Sequence, residues 1–419
     1  MKKLCIMITH KFPYNQDETF IENEITLLAN AFETVCILAA YADDTDVQTR
    51  TLPSNVIVSR LGWSSLSAGR KLLLGIKGIL HADKNIWREV KKKKEIGWKT
   101  NSLYMYGTVL EKVDQATKQL HKIIDVRSFD NCVIYSYWLL EHAFIATRIA
   151  EQFKTLLPTH VLSRAHGYDV YSYRKKYQAF PFRELIFAHL DEIFPCSQDG
   201  TDHLAKSYPQ YADKIHTTYL GTADHGINKE ETDGKFVLVS CSNIVGLKRV
   251  HLIAEALSMI LKQGNDKFRW ICIGDGDKLL DLMRLVSEEL SLHDHVEFLG
   301  RIPNSQVMDI YKKRHIDMFV NVSETEGLPV SIMEAQSFGI PSIATDVGGT
   351  SEIVKNDVGC LLPKDITSSH LAEHLKQFMD LSFEEREMYR IRARGNWLVH
   401  FNAEKNFKEW AIKLSSLFD

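Results

Sequence analysis

Two glutamates eight residues apart, Glu326 and Glu334, flank a predicted helix start in the stretch NVSETEGLPVSIMEAQSFGIPSIATDVGG, residues 321–349. Pro329 suits the first turn of a helix, because its φ is fixed near the helical value and an amide proton has no partner there. A carboxylate only accepts hydrogen bonds, so sugar hydroxyls are natural partners for both side chains. The alternative is one acid that caps the helix and one ordinary surface acid.

Backbone amides at the same helix start favour an anion. They belong to Gly327, Leu328 and Val330. N–H groups at this position have no partner inside the helix, and the helix dipole is positive at this end, so a phosphate is stabilised there. Together with the two glutamates, the stretch predicts a diphosphate site that also holds sugar hydroxyls.

The run EGLPVSIMEAQSFGIPSIATDVGG resembles the E-x7-E region of the retaining glycosyltransferases of family 4, of the type that makes bacterial surface polysaccharides. The resemblance implies that Glu326 contacts hydroxyls of the donor sugar and that Glu334 holds the ribose of the nucleotide. It also implies an α/β fold of the GT-B type, with two doubly wound, Rossmann-like parallel-sheet domains that face a cleft. A nucleotide diphosphate sugar is then the donor substrate, and no separate cofactor is expected.

The resemblance extends to the loops that would bind the nucleotide. In SNIVGLKR, residues 242–249, Lys248 matches the lysine expected beside the diphosphate, with Arg249 adjacent. Family members commonly have an arginine at the position of Asn243, so one of two cations is missing there or is supplied from elsewhere. Four further residues would line the nucleotide: Gly274, Gly276, Gly300 and Arg301. The GDG triplet at 274–276 is no dinucleotide fingerprint, because a third glycine is lacking.

A polar motif in the first half, HGYD at 166–169, follows a strand-like segment at 159–163. Ligands bind outside the carboxyl ends of strands in open α/β sheets. A lone histidine is usually structural, but the family's HGxD pattern places His166 beside the donor sugar with Asp169 close by. We therefore expect both residues in the catalytic site.

Three aromatic residues are candidates for acceptor contacts. Tyr137 and Trp138 follow the strand-like segment 132–136 and could stack on a sugar, although buried aromatics are commoner. Tyr14 lies in the first loop, FPYNQDET, residues 12–19. The corresponding loop of the family is often glycine-rich and faces both donor phosphate and acceptor. Because no glycine occurs here, a close approach of this backbone to a phosphate is less assured.

Strand-like and helical segments alternate through both halves of the chain, which predicts two doubly wound parallel sheets. We expect an acceptor-side domain at residues 1–221 and a nucleotide-sugar domain at residues 222–402. A terminal helix, 403–419, is expected to cross back to the first domain, as in GT-B enzymes. The segment 220–233 is rich in Gly, Asp, Asn and Thr, as an interdomain linker is.

Composition narrows the class of protein. The 419 residues are 45% hydrophobic, which is typical of a chain with about two domains. The net charge of −3 gives no general argument that the protein binds nucleic acid. No apolar run approaches the roughly 18 residues that cross a bilayer. Seven cysteines without a CxxC pair indicate buried thiols of a cytoplasmic protein and no zinc site.

Residues 61–100 form a basic segment with ten basic and three acidic residues, interleaved with apolar ones. Such a segment can lie on anionic lipid. The protein would then work at the inner face of the membrane, with a lipid-linked acceptor. One alternative is a solvated helical face packed on the sheet. A nucleic-acid-binding patch is a less supported alternative, because no known nucleic-acid-binding motif accompanies the segment.

The sequence thus predicts a retaining glycosyltransferase that moves a sugar from a nucleotide diphosphate sugar to a hydroxyl of a glycan or lipid-linked acceptor. The resemblance implies a front-face mechanism in which the departing diphosphate helps to deprotonate the acceptor. Since the nearest acids, Glu326 and Glu334, are assigned to hydroxyls, no metal ion is expected. Two rival classes stay open: a nucleotide-sugar epimerase or phosphorylase of the same fold, and a non-catalytic nucleotide-sugar-binding subunit.

Overall fold

The computed structural model describes residues 1–15, 18–63, 66–228 and 234–419. Parts of the first loop (16–17), of the basic segment (64–65) and of the predicted linker (229–233) lie outside the described residues. The chain divides into two compact units. The first comprises Met1–Thr218 and Phe407–Asp419, and the second comprises Tyr219–Asn406.

The first unit is built on a parallel sheet whose strands are β1 (Lys3–Thr9), β2 (Thr34–Ala39), β3 (Val56–Arg60), β4 (Asn131–Ser136), β5 (Thr159–Ala165) and β6 (Glu192–Pro195). Their order is β3-β2-β1-β4-β5-β6. The helices are α1 (Glu22–Ala31), α2 (Ala68–Leu80), α3 (Lys84–Val90), α4 (Ile96–Ile123), α5 (Glu141–Phe153), α6 (Gly167–Val170), α7 (Arg183–His189) and α8 (Gln198–Ser207). The central strands β1 and β4 are near-continuous buried apolar runs, because helices cover both faces of a parallel sheet.

The second unit repeats this plan with β7 (Phe236–Cys241), β8 (Phe268–Ile273), β9 (Val296–Gly300), β10 (Met318–Asn321), β11 (Ser342–Thr345) and β12 (Gly359–Leu362). Their order is β12-β11-β10-β7-β8-β9. The helices are α9 (His251–Lys262), α10 (Leu279–Arg284), α11 (Asn304–Lys313), α12 (Val330–Ser337), α13 (Thr350–Ile353), α14 (Ser368–Met379) and α15 (Phe383–His400). The predicted α/β fold with two doubly wound parallel sheets is confirmed.

The last helix, α16 (Ala403–Ser415), begins in the second unit, and its residues from Phe407 onward belong to the first. Trp410 is buried, and its Nε1 donates to Glu24 Oε1 at 2.8 Å. The Arg164 guanidinium lies 4.4 Å from the Trp410 ring centroid and 3.7 Å from Glu24 Oε2. Breaking a buried ion pair leaves an uncompensated charge, so this cluster fixes the place of the helix.

The basic segment predicted at 61–100 forms α2, α3 and the first turn of α4. Part of its charge is neutralised, since Lys77 Nζ lies 2.9 Å from carboxylates of both Glu111 and Asp114. Lys92 Nζ lies 2.7 Å from a carboxylate oxygen of Glu184. Among the described residues we find no helix with the length and hydropathy of a transmembrane span.

Candidate functional site

A pocket of about 390 Å³ opens in the second unit where the loops after four neighbouring strands converge. β10, β7, β8 and β9 lie side by side, so their carboxyl ends share one edge of the sheet. This second-unit pocket is lined by parts of the segments 241–248, 273–275, 301–307 and 326–331. Seven predicted residues line it: Asn243, Lys248, Gly274, Arg301, Glu326, Leu328 and Val330.

The central polar contact of the pocket joins Lys248 Nζ to Glu326 Oε1 at 2.5 Å. The same carboxylate oxygen accepts from Ser323 Oγ at 2.7 Å and from Asn321 Nδ2 at 3.1 Å. Both charged side chains are largely shielded from solvent, with 24% of the lysine and 12% of the glutamate exposed. The pair therefore presents a cation and a hydrogen-bond acceptor at fixed positions in the pocket. Sequence reasoning predicted both residues but not that they touch.

The turn that carries Glu326 is shaped by a glycine pair on the loop after β11. Gly348 has a φ of +56°, in the left-handed region, and a Cβ there would lie 2.1 Å from Glu326 O. Gly349 N donates to Gly327 O at 2.6 Å. Any larger residue at position 348 would displace the turn and, with it, the carboxylate that meets the lysine.

The helix after this turn, α12, begins at Val330 with Pro329 at its N-cap, as the sequence predicts. Within the described part of the chain, the amides of Gly327, Leu328 and Val330 have no hydrogen-bond acceptor. Unpaired amides at a helix N-terminus bind anions. Ser331, which also lines the pocket, was missed; its polar side chain two residues after the proline was the available signal.

The glycines of the 274–276 loop allow two loops to touch. A Cβ on Gly274 would lie 1.8 Å from Ser242 O, and one on Gly276 would lie 2.3 Å from Ile244 O. Gly274 N donates to Gly300 O at 2.9 Å, and Gly300 itself has a φ of +63°. Gly274 and Gly276 therefore serve the close packing of the loops that form the pocket wall, whereas Gly300 serves a left-handed backbone conformation.

Glu334 lies beside the pocket and not in its described lining. Its carboxylate accepts from Asn304 Nδ2 at 2.8 Å. Burial raises the pKa of this carboxyl to about 7, although the hydrogen bond from Asn304 opposes the rise. A carboxyl that titrates near neutrality is typical of a functional site. Asn304, at the start of α11, was not predicted from the sequence.

Two arginines near the pocket have different surroundings. Arg249 Nε donates to Val322 O at 2.8 Å and its Nη2 donates to Ser323 O at 3.2 Å. The guanidinium therefore supports the loop after β10, and the predicted contact of Arg249 with the nucleotide stays a prediction. Arg301 is exposed and lines the pocket. It is a second cation, besides Lys248, among the described residues that line this pocket.

In the first unit, His166 follows β5 and caps the short helix α6. Its Nε2 lies 3.1 Å from Tyr137 O, so the neutral ring donates to that carbonyl. Burial, together with the charge of Arg164, lowers the pKa of His166 to about 3. The imidazole is therefore uncharged at neutral pH and cannot act there as a cationic group.

Asp169 holds two loops together. Its carboxylate accepts from His166 N at 2.6 Å and from Leu139 N at 2.8 Å. Burial raises the pKa of this carboxyl to about 6. Because both oxygens are engaged by backbone amides, the predicted catalytic role of Asp169 is corrected to a positioning role for the loop of His166.

The aromatic candidates differ in exposure. Tyr137 is fully buried and its ring stacks on His166 with centroids 4.9 Å apart, so it offers no face to an acceptor sugar and that prediction is corrected. Tyr14 is also buried and borders a cavity formed with the segment 48–58. Trp138 is half-buried and lines a first-unit pocket of about 790 Å³.

The amides of the first loop are occupied by an internal carboxylate. Glu18 accepts from the backbone N–H groups of His10, Lys11 and Phe12 at 2.9, 2.8 and 2.7 Å. It also accepts from Trp138 Nε1 at 2.7 Å. The glycine-free loop therefore satisfies these amides itself, and Glu18 orients the tryptophan beside His166. No distinctive feature of the sequence indicated this role of Glu18.

Two Asp-x-Asp triplets, at 44–46 and 275–277, are sequence patterns that can hold a divalent ion. Asp46 Oδ1 lies 2.9 Å from Lys11 Nζ, and Asp275 Oδ1 accepts from Gly276 N at 2.7 Å. Across the described ranges, no group of three or more His, Cys, Asp or Glu residues is arranged to hold a metal. The metal-free site stays a prediction.

Residues 224–396 match the family described as Glycosyl transferases group 1, a segment that contains the whole lining of the second-unit pocket. WcaL of Escherichia coli K12, named as a glycosyltransferase of colanic acid biosynthesis, is 24% identical over 422 residues, which cover 97% of this chain and 98% of that protein. The N-acetyl-alpha-D-glucosaminyl L-malate synthase of Bacillus anthracis is 28% identical over 186 residues, or 43% of this chain and 45% of that protein.

Solved structures share the fold over the full length. The lipopolysaccharide outer core galactosyltransferase WaaB superposes with a TM-score of 0.69 at 16% identity and covers 98% of this chain and 99% of its own. HepE of Anabaena in complex with UDP superposes with a TM-score of 0.65 at 16% identity and covers 100% of both chains. At these identities the likeness establishes the GT-B fold.

Proposed function

We propose that this protein, a glycosyltransferase with a group 1 domain at residues 224–396, transfers a sugar from a nucleotide diphosphate sugar to a hydroxyl of a glycan or lipid-linked acceptor. Transfer retains the anomeric configuration and needs no metal ion. The observation that carries the proposal is the second-unit pocket, which combines a cation, a carboxylate and the unpaired amides of a helix start. The UDP bound to HepE supports a nucleoside diphosphate as the ligand.

The diphosphate is held by groups with positive potential. Lys248 Nζ and the amides of Gly327, Leu328 and Val330 stabilise the charge that develops as the bond to the sugar breaks. Arg301 supplies a second cation from the pocket wall. Charge-assisted contacts to phosphate are roughly twice as strong as neutral ones, so these two side chains replace the metal ion of other transferases.

The two glutamates hold hydroxyl groups. Glu326 is fixed by Lys248 and Ser323 so that its carboxylate accepts from the donor sugar. Glu334, beside Asn304, accepts from the ribose. A two-carboxylate glycosidase would need one protonated and one ionised acid on either side of the scissile bond, whereas these acids belong to one nucleotide-binding element.

His166 belongs to the donor-sugar site of the first unit. Its ring is neutral, and Asp169 and Tyr137 hold it in place. Because Nε2 donates to Tyr137 O, Nδ1 is the ring atom that can accept a hydrogen bond, which suits a sugar that becomes positively charged in the transition state. The departing diphosphate oxygen takes the proton of the acceptor hydroxyl. The bond to the diphosphate therefore breaks, and the bond to the acceptor forms, on the same face of the sugar.

A cytoplasmic location at the inner face of an anionic membrane, with a surface-polysaccharide acceptor, completes the proposal. The exposed side chains of Lys91 and Lys94 and the name of WcaL support it. Electrostatic attachment predicts that sedimentation with anionic vesicles falls as salt is raised. If sedimentation with these vesicles does not change with salt concentration, the proposed electrostatic attachment to the membrane is wrong.

The experiment that tests the proposal is release of nucleoside diphosphate by the purified full chain, across a panel of nucleotide diphosphate sugars, with and without lipid extract. Acceptor-dependent release with one donor is expected. An epimerase would change the sugar without releasing nucleoside diphosphate, and a binding subunit would bind a donor and leave it intact. Either result would replace the proposed function.

A further inference from the structure

Two histidines meet at the wall of the first-unit pocket. His10 Nδ1 lies 3.4 Å from His142 Nε2, and both residues line the pocket. The Tyr41 ring packs against both, with its centroid 4.7 Å from that of His10 and 5.6 Å from that of His142. His10 directly follows β1, and His142 lies in the first turn of α5. The proposed reaction uses neither histidine.

The surroundings of His142 select the position of its ring proton. Burial lowers the pKa of His142 to about 4, against the charge of Glu141, so the ring is neutral and carries one proton. The side chain is 2% exposed, and its Nδ1 has no hydrogen-bond partner among the described residues. A proton on Nδ1 would be a buried donor without an acceptor, which is rare in folded proteins. A proton on Nε2 is used instead, because it donates to His10 Nδ1.

The bond from His142 fixes the polarity of His10. A neutral imidazole has one donor nitrogen and one acceptor nitrogen. Because His10 Nδ1 accepts from His142, His10 Nε2 carries the proton. In a general-base histidine a carboxylate accepts from Nδ1–H, which leaves Nε2 free to take a proton. The pair of His10 and His142 has the opposite polarity, so His10 has a donor and no acceptor to offer to a ligand.

Glu18 places this donor beside an aromatic wall. Its Oε1 accepts from His10 N at 2.9 Å and from Trp138 Nε1 at 2.7 Å, so one carboxylate oxygen fixes both residues. Trp138 is half-buried and lines the same pocket. Ligand pockets typically combine aromatic walls with a few fixed polar groups. A sugar residue suits this pair, because it has C–H groups for the indole face and oxygen atoms for the donor.

We propose that His10 is a specificity-determining residue for the acceptor: its Nε2–H donates to an oxygen of a sugar residue in the first-unit pocket, and His142 holds it in that tautomer. The inference rests on the proposed function and deepens it, because it assigns His10 the recognition of the acceptor and not its deprotonation. A histidine whose free nitrogen is already protonated cannot take the proton of the acceptor hydroxyl. A ligand group that only donates, such as an ammonium, is excluded from this position.

Nitrogen NMR of the full chain with nitrogen-15-labelled histidine tests the tautomers without requiring turnover. At pH 8 we expect the proton on Nε2 of both His10 and His142, with Nδ1 of each ring unprotonated. The variants His10→Gln and His142→Gln assign the signals, because each lacks one set of ring signals. A proton on Nδ1 of His10 would overturn the proposal.

Methyl pyranosides of glucose, galactose, mannose and N-acetylglucosamine are the probes for the sugar. We expect at least one of them to shift the Nε2 signal of His10 and to change tryptophan fluorescence, since Trp98 and Trp138 line the pocket. His10→Leu should weaken that sugar about tenfold, whereas His10→Gln, which keeps an N–H donor, should stay within about threefold of wild type. His121→Leu, at an exposed position of α4, is the control. The proposal is wrong if no sugar shifts the His10 signal or if the Leu and Gln variants bind equally.

The positioning role of His142 has its own spectroscopic test. His142→Gln keeps an N–H donor and should preserve the Nε2–H form of His10, whereas His142→Leu should allow both tautomers of His10. The same His10 tautomer in both folded variants would mean that His142 does not hold it. If the Leu variant does not fold, loss of the Nε2–H form in the Gln variant would have the same meaning.

Initial rates with the donor and acceptor that the panel selects separate this proposal from the proposed function. His10→Leu should raise the KM of the acceptor about tenfold, with kcat within about threefold and nucleoside diphosphate affinity unchanged. A fall in kcat of about 100-fold or more that His10→Gln does not restore would mean that His10 is a general base, which overturns the proposal. If no donor supports transfer while a methyl pyranoside still binds through His10, the proposed function fails and the sugar site stands.

Discussion

Lys248 Nζ and Glu326 Oε1 lie 2.5 Å apart at the centre of the second-unit pocket, although 78 positions separate them in the chain. The contact unites the loop after β7 with the helix start after β10. Each partner has a different task in the proposed reaction, so the pair links recognition of the diphosphate with recognition of the sugar. Separate substitutions can therefore divide the two tasks.

We expect Lys248→Ala to weaken nucleoside diphosphate binding about tenfold or more and to abolish transfer, because a cation beside the leaving group is lost. Glu326→Ala should lower transfer strongly and leave nucleoside diphosphate affinity unchanged or tighter, because its removal frees the lysine. Calorimetric titration and initial rates measure both effects. Equal loss of affinity in the two variants would contradict the division of roles.

Glu334 gives the nucleotide site a pH dependence. Burial raises the pKa of its carboxyl to about 7, so the ionised acceptor form grows as pH rises from 6 to 8. We expect nucleoside diphosphate to bind several-fold more tightly at pH 8 than at pH 6, and Glu334→Gln to lose this trend. The nucleotide phosphate titrates equally with both proteins, so their ratio isolates Glu334. If the ratio of the two affinities stays constant from pH 6 to pH 8, the proposed contact between Glu334 and the ribose is wrong.

The sequence was most informative where local chemistry decides structure. Pro329 predicts the start of α12, and the strand-like segment 132–136 lies within β4. The side-chain partners were not predictable, because they depend on which strands become neighbours in the sheet. Thus Arg249 supports backbone carbonyls of the loop after β10, and Asn304 meets Glu334 from another helix.

The burial of individual side chains was also not predictable from the sequence. Tyr137 follows a strand as an acceptor contact would, yet it is fully buried against His166. Whether an aromatic residue at a strand end faces a ligand depends on the packing above it. The place of Glu18 likewise depends on tertiary structure, because its carboxylate also accepts from Trp138 Nε1, 120 positions away in the chain.

Metal independence is tested by removing divalent ions. Glu326 in the second-unit pocket and Glu334 beside it are assigned to hydroxyl groups, and Lys248 and Arg301 supply the positive charge. We expect the transfer rate in excess chelator to stay within about twofold of the untreated rate, which is a small change in the activation free energy. Lost turnover that magnesium or manganese restores would assign the Asp275 and Asp277 carboxylates a role at the diphosphate.

Lys112 predicts a second, structural pH dependence. It is fully buried, its Nζ donates to Leu61 O at 2.6 Å, and the Trp63 ring centroid lies 3.5 Å away. Burial lowers its pKa to about 7, against the charges of Glu111 and Asp43. Between pH 7 and the ordinary lysine pKa the unfolded chain binds more protons, so this residue makes stability rise with pH.

The comparison of wild type with Lys112→Met isolates that contribution. The unfolding free energy of wild type minus that of the variant should increase by up to about 1.4 kcal/mol per pH unit between pH 7 and pH 9. Chemical denaturation at both pH values measures it, and Lys118→Met on the exposed side of the same helix is the control. A difference that does not change with pH would mean that Lys112 stays protonated in the folded protein across this range.

The most direct measurement of the central claim is a proton NMR time course with the donor that the panel selects and the acceptor that supports release. The account predicts one nucleoside diphosphate released per sugar transferred, and a product with the anomeric configuration of the donor. His166→Ala should slow the same reaction strongly in a protein that still folds. A product of inverted configuration, or a changed sugar with no nucleoside diphosphate released, would contradict retaining transfer at this site.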